Sequence, residues 1–171
     1  MTLLARLLRG LALLLLALAA GFFYAYSCCV VWGLDDTPPA AAIEAMQGIN
    51  RAVRNPIFAL VFFGALPLTA LACLSFRPWR LRAPGLLSLA ALLAYGGTFI
   101  VTAAIHVPMN QALAVVDAPA LADPAAAWRA YADPWLLWNH VRAACATLAL
   151  VLLALAAWLH RGGAPPSGGT A

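Results

Sequence analysis

The segment LALLLLALAAGFFYAYSCCVVW, from Leu11 to Trp32, holds no charged side chain. A helix needs about 20 consecutive apolar residues to cross the hydrocarbon core of a bilayer, so this segment is long enough for one crossing. It lacks the alternation of a barrel strand, and only helices or closed barrels satisfy their backbone polar groups in lipid. Three more such segments follow, at about Ile57 to Phe76, Gly85 to Val107 and Leu136 to Leu159. The sequence therefore predicts an all-α, integral membrane four-helix bundle. It forms a single domain over 1–161, followed by a disordered Gly/Pro/Ser-rich tail over 162–171.

Composition agrees. Of the 171 residues, 65% are hydrophobic and only 9% are charged, against about 45–50% and 25% in soluble chains. So few charges leave a soluble surface uncovered, whereas lipid-facing helices do not need them. The net charge of +4 comes with no lysine and ten arginines. These are scattered rather than gathered in a basic stripe, which excludes a nucleic-acid partner. The expected partner is the lipid bilayer and the expected location the cell membrane, as a multi-pass protein.

The arginines set the expected orientation. Arg6 and Arg9 precede the first span, Arg77, Arg80 and Arg82 crowd the link between spans two and three, and Arg161 follows the fourth. All six acids lie in the other two connections, together with Arg51, Arg54 and Arg129. Short loops rich in arginine stay inside, so both chain ends are expected in the cytoplasm and the two longer connections outside. A rival reading takes Arg6 and Arg9, the apolar run and Ala17-Leu-Ala19 as a cleavable secretory signal. The run continues through Phe22, Phe23 and Tyr26 to Trp32, which is long for a signal. The four cysteines contain no C-x-x-C pair and read as apolar filler rather than a zinc site.

Polar residues within a membrane are costly, so their placement is informative. Thr37-Pro38-Pro39 reads as a helix start with Thr37 as N-cap. It opens an outer interfacial helix on which Ile43, Met46, Asn50 and Val53 share one face and Glu44, Gln47, Arg51 and Arg54 another. Span three ends in His106-Val-Pro-Met-Asn110, where His106 and Asn110 share a face if the helix persists past Pro108. Span four reads as opening at Asp133-Pro134, with Trp135, Trp138, Asn139 and Arg142 forming one stripe. His140 falls on a different face from Asn139. Asn50, Arg51, Asn55, His106, Asn110, Asn139, His140 and Arg142 thus gather at one depth in the outer half. The inner half offers nothing comparable, which argues against a polar path through the membrane. Taken singly, the tryptophans serve as interfacial belt residues, Arg142 snorkels, and the asparagines act as polar glue. Together they point to a cavity.

Three stretches, Ala45 to Pro56, His106 to Asn110 and Trp138-Asn-His-Val-Arg142, resemble the anthrone oxygenase-like family. These are small four-helix membrane proteins, mostly a domain of unknown function in bacteria. The resemblance covers nearly the whole chain and departs at His106, where many relatives carry Asn. It implies an oxidoreductase that oxidises anthrones to anthraquinones with O2 in polyketide pathways, without a cofactor. The substrate class is a small hydrophobic aromatic. On this resemblance His140 is the base, Arg142 and Asn110 stabilise the enolate oxyanion, and Asn139 orients the histidine or the substrate. Trp128, Trp135 and Trp138 wall a flat substrate, with His106, Asn50 and Arg51 also at the binding site. Two alternatives stand beside it. One is a membrane oxidase that binds haem or copper through His106 and His140. The other is a non-enzymatic membrane subunit or transport accessory protein. The oligomeric state is not legible, although Gly96-Gly97 permits close helix approach.

Overall fold

The computed structural model describes residues 2–162, and these are all helical or in short connections, without a strand. The part of the expected tail from Gly163 onward lies outside the described residues. Four helices are long and apolar enough to cross a membrane: α1 (Leu3–Asp35), α3 (Pro56–Ser75), α4 (Ala83–Ala114) and the last helix, α5 (Pro124–Gly162). Between α1 and α3 lies α2 (Pro39–Ala52). The four long helices form a ring in which α1 packs on α3 and α5, and α4 packs on α3 and α5. Alanines make this closeness possible. Ala12 and Ala19 of α1, Ala65 and Ala72 of α3, Ala91 of α4 and Ala146, Ala149 and Ala156 of α5 are fully or almost fully buried at the helix contacts, where small side chains let backbones approach. Leucines such as Leu14, Leu93 and Leu148 face outward, as they can where the solvent is lipid. The amino-terminal segment considered as a signal forms one wall of the bundle, through Ala12, Leu16, Ala19 and Ala20.

Local chemistry sets the helix ends. Thr2 Oγ1 accepts from Ala5 N at 3.3 Å to open α1. Asn55 Oδ1 accepts from Phe58 N at 2.9 Å, with Pro56 in the first turn of α3. Two expected caps are corrected. Thr37 does not cap α2; its hydroxyl donates back to the Leu34 carbonyl at 2.7 Å, closing α1, and Pro38 takes the cap position. The last helix does not open at Asp133-Pro134. Asp123 Oδ1 accepts from Ala126 N at 2.9 Å and Pro124 is the first residue of α5, so Pro134 lies inside the helix. The same Asp-Pro signal occurs twice, ten residues apart, and the earlier copy acts. Spans one, three and four are therefore parts of longer helices, while span two matches α3 to within one residue at each end.

Two of the long helices are interrupted by a π turn, at Tyr26–Val30 in α1 and at Thr102–His106 in α4. Each loosens the backbone ladder, and side chains use the carbonyls nearby: Cys29 Sγ donates to Ala25 O at 3.0 Å and Thr102 Oγ1 to Thr98 O at 2.7 Å. Pro108 follows the second π turn, and α4 continues past it to Ala114. Of the glycine pair in α4, Gly97 faces α5, where an added Cβ would lie 3.4 Å from Cys145 Sγ; Gly96 meets nothing. A second apolar cluster, with Val31, Ile43, Met46, Leu113, Trp128 and Trp135, seats α2 across the end of the bundle.

Candidate functional site

A cavity of about 570 Å³ opens between α1, α3, α4 and α5 beneath α2. Pockets that hold small organic ligands span roughly 300–1,000 Å³. Its walls are aromatic: Phe22, Tyr26, Phe58, Phe62, Phe63 and Trp135 all reach it. Phe58 and Phe62 lie nearly parallel, 5.5 Å apart and 9° from coplanar, and Phe62 stacks on Phe99 at 4.3 Å and 15°. Such a wall favours a flat, apolar guest. The polar groups at the cavity are Asn50, Arg54, Asn55, Thr102, His106, Asn110 and Arg142.

Arg142 is 6% exposed. Its Nη2 donates to Asn139 Oδ1 at 2.8 Å and its Nη1 reaches Thr102 Oγ1 at 3.5 Å, while Nε has no partner. The guanidinium carbon lies 4.6 Å from the Phe23 ring centre and 5.2 Å from that of Trp135. No carboxylate pairs with it among the described residues; all six acids are exposed. A buried charge without an ionic partner costs several kcal/mol. Aromatic faces return part of that, on the order of 2 kcal/mol for a desolvated pair. Asn139, fully buried, fixes the arginine by donating its Nδ2 to Phe23 O and Ser27 Oγ, each at 2.9 Å.

His106 ends the π turn of α4 and is 1% exposed. Its Nε2 lies 3.2 Å from the Trp135 carbonyl. A carbonyl only accepts, so Nε2 carries the hydrogen and Nδ1 the lone pair. Nδ1 has no hydrogen-bond partner. Trp135 meets the imidazole edge-on, at 4.8 Å and 90°. Asn110 Oδ1 accepts from both Tyr131 Oη and Trp135 Nε1, each at 2.9 Å, and Asn50 Nδ2 donates to Tyr131 Oη at 3.3 Å. With its oxygen doubly engaged, Asn110 keeps its NH₂ for the cavity that it lines.

Of the residues expected at the site, the fold thus brings Asn50, His106, Asn110, Trp135 and Arg142 to one cavity, with Asn139 behind Arg142. The other four lie elsewhere. His140 and Trp138 are exposed and do not line the cavity. On α5 the buried face is centred on Trp135, Asn139 and Arg142; at 3.6 residues per turn, Trp138 falls at the edge of that face and His140 about 140° from Trp135. Arg51 is exposed on α2, and Trp128 is buried away from the cavity, its Nε1 donating to Asp35 Oδ1 at 2.7 Å. His106 and His140, the donor pair considered for haem or copper, do not share the cavity. Among the described residues no group of three His, Cys, Asp or Glu side chains is placed to hold a metal ion. Tyr26, Thr102, Arg54 and Tyr131 are additions. Tyr131 precedes Trp135 by one helical turn, and starting the helix at Pro124 puts it on the same stripe.

A profile of the anthrone oxygenase family matches residues 58–152. The chain belongs to this family. The matched region runs from α3 through most of α5 and includes His106, Asn110, Tyr131, Trp135, Asn139 and Arg142, so the polar side of this anthrone oxygenase-family cavity lies mostly within it. No curated protein and no solved structure matches the chain.

Proposed function

We propose that this protein is a membrane oxygenase that oxidises a flat, anthrone-like aromatic with O2 in the cavity beneath α2. The observation that carries the reading is Arg142: a buried guanidinium without a carboxylate, at the wall of an otherwise aromatic cavity. Such a group suits a guest that becomes anionic on the oxygen placed against it. An anthrone does this. Loss of a proton from its methylene gives an aromatic enolate, with the charge on the carbonyl oxygen across the central ring.

In this scheme His106 is the base rather than His140. It is the imidazole that lines the cavity, and its Nδ1, without a hydrogen-bond partner, offers the lone pair that takes the proton. Arg142 and the Asn110 NH₂ stabilise the enolate oxygen, and Asn139 and Thr102 position the guanidinium. The anion gives one electron to O2, and the resulting radicals join through a C–O bond to form a hydroperoxide anion. That anion takes a proton back from His106. The hydroperoxide then loses its remaining C–H proton and the O–O bond breaks, leaving the new carbonyl and water. One anthrone and one O2 become one anthraquinone and one H2O. The phenylalanine walls keep bulk water from the enolate. In this reading the protein sits in the cell membrane with both chain ends cytoplasmic, and its substrate is a polycyclic polyketide.

The test is oxygen uptake by the detergent-purified protein with anthrone, read against quinone absorbance. The expected result is one O2 per quinone at a rate well above spontaneous autoxidation and above that of Arg142→Gln. A rate equal to the spontaneous one would sink the reading.

A further inference from the structure

The opposite end of the bundle, where α1 begins and α5 ends, holds a second cavity of about 600 Å³. Arg9, Arg77, Arg80, Arg82, Ser75 and His160 line it, and among the described residues no acidic one does. By their loop positions alone these arginines serve as topology signals. We propose that this cavity is a binding site for a phosphate-type anion, of the kind carried by an anionic phospholipid headgroup or by free phosphate.

A topology signal needs only that the charges lie in the loop. The construction here goes further. Arg9 is 4% exposed and held in place: Nε donates to Ser75 Oγ at 2.9 Å, Nη2 to Ser75 O at 3.1 Å, and the guanidinium carbon lies 3.6 Å from the Phe76 ring centre. The loop that carries the other three is tightly wound. Arg77 and Leu81 take left-handed backbone angles, with φ of 55° and 50°, a conformation that residues with a Cβ rarely adopt. Between them, the turn at Pro78 presses on the first turn of α4, where a Cβ on Gly85 would lie 2.8 Å from Pro78 Cα. The loop therefore packs against α4 and gathers its guanidiniums around one space instead of spreading them. The α4 amino terminus beside them has no side-chain cap and adds its positive end. Guanidinium forks match phosphate oxygens in pairs. An occupant with that charge relieves the mutual repulsion of the exposed Arg77, Arg80 and Arg82.

The experiment uses the full-length protein in maltoside micelles. Phosphatidylglycerol, phosphatidylcholine and inorganic phosphate are titrated separately, with binding read by native mass spectrometry and by the shift in melting temperature. Two double variants of equal charge change are compared. Arg80→Gln with Arg82→Gln removes exposed arginines of the cavity, and Arg51→Gln with Arg129→Gln removes exposed arginines at the other end. The wild type and the second variant should bind phosphatidylglycerol at least tenfold more tightly than the first, and phosphatidylcholine should bind none of them comparably. If phosphate reproduces the effect, the ligand is a free anion; if phosphatidylglycerol alone does, it is a headgroup of the adjoining leaflet. Equal losses in the two double variants would overturn the proposal. So would binding of both anions no stronger than that of phosphatidylcholine.

Discussion

Arg142 donates to Asn139, one turn earlier on the same helix, at 2.8 Å, and Asn139 in turn grips the Phe23 carbonyl of α1 at 2.9 Å. The cation is thus aimed by a neutral amide and keeps its full charge for the cavity. In Arg142→Met the predicted loss in anthrone turnover is about 10²–10³-fold, the effect of removing an oxyanion donor. Thermal stability should hold or rise, because the unpaired buried charge is gone. The orphaned Asn139 Oδ1 takes back about 1 kcal/mol of that gain. Parallel rate and melting measurements check both; a large drop in melting temperature with activity intact would assign Arg142 to structure alone.

The two histidines of the oxygenase motifs separate cleanly. His106→Ala should lower turnover by about 10²–10⁴-fold, the range for a general base, while His140→Ala should stay within a factor of about two, since its ring faces away from the cavity and surface changes are usually small. The reverse pattern in steady-state rates would restore His140 as the base.

Tyr131 links Asn50 to Asn110 through one hydroxyl, accepting at 3.3 Å and donating at 2.9 Å. Tyr131→Phe removes both bonds and leaves Asn50 Nδ2 without its acceptor. The expected cost is about 1–3 kcal/mol of stability, with a rise in KM larger than any fall in kcat because Asn110 loses one of its two anchors. A chemical melt and a substrate titration measure the two effects separately.

Gly85 and Gly96 make a paired test of the packing. Gly85→Ala drives a Cβ into the Pro78 backbone and should destabilise by about 1–3 kcal/mol, as overpacking does. Gly96→Ala meets nothing and should stabilise by up to about 1 kcal/mol through helix propensity. Melting temperatures that move together would contradict the helix contacts described here.

The bundle was legible because its evidence is local. Hydrophobic runs report crossings without any knowledge of partners, and the stripe of Trp135, Asn139 and Arg142 follows from helical spacing alone. Two features hid the rest. The Asp123-Pro124 cap competes with Asp133-Pro134, and reading the later one as the start of the helix removed Tyr131 from the stripe. The choice of His140 over His106 came from the resemblance, whereas burial separates them. His140 lies on the far side of α5, and His106 is turned inward on α4 by a π turn that no residue pattern announces. The arginine cavity at the other end was missed for a different reason. Arg9 and Arg77 to Arg82 lie far apart along the chain, and a left-handed turn at Arg77 is not expected from an arginine.

The two π turns also bear on how this chain tolerates insertions and deletions. A π turn accommodates one residue beyond α-helical spacing while the helix faces on either side stay aligned. Deleting the exposed Ala103 would therefore let α4 close into an uninterrupted α-helix, with Tyr95 and Asn110 still facing their neighbours. The His106 ring would lose the offset that turns it toward Trp135. Such a shortened chain would fold, insert and melt much like its parent, yet carry a rearranged cavity beneath α2. A single codon would then separate the scaffold from its chemistry.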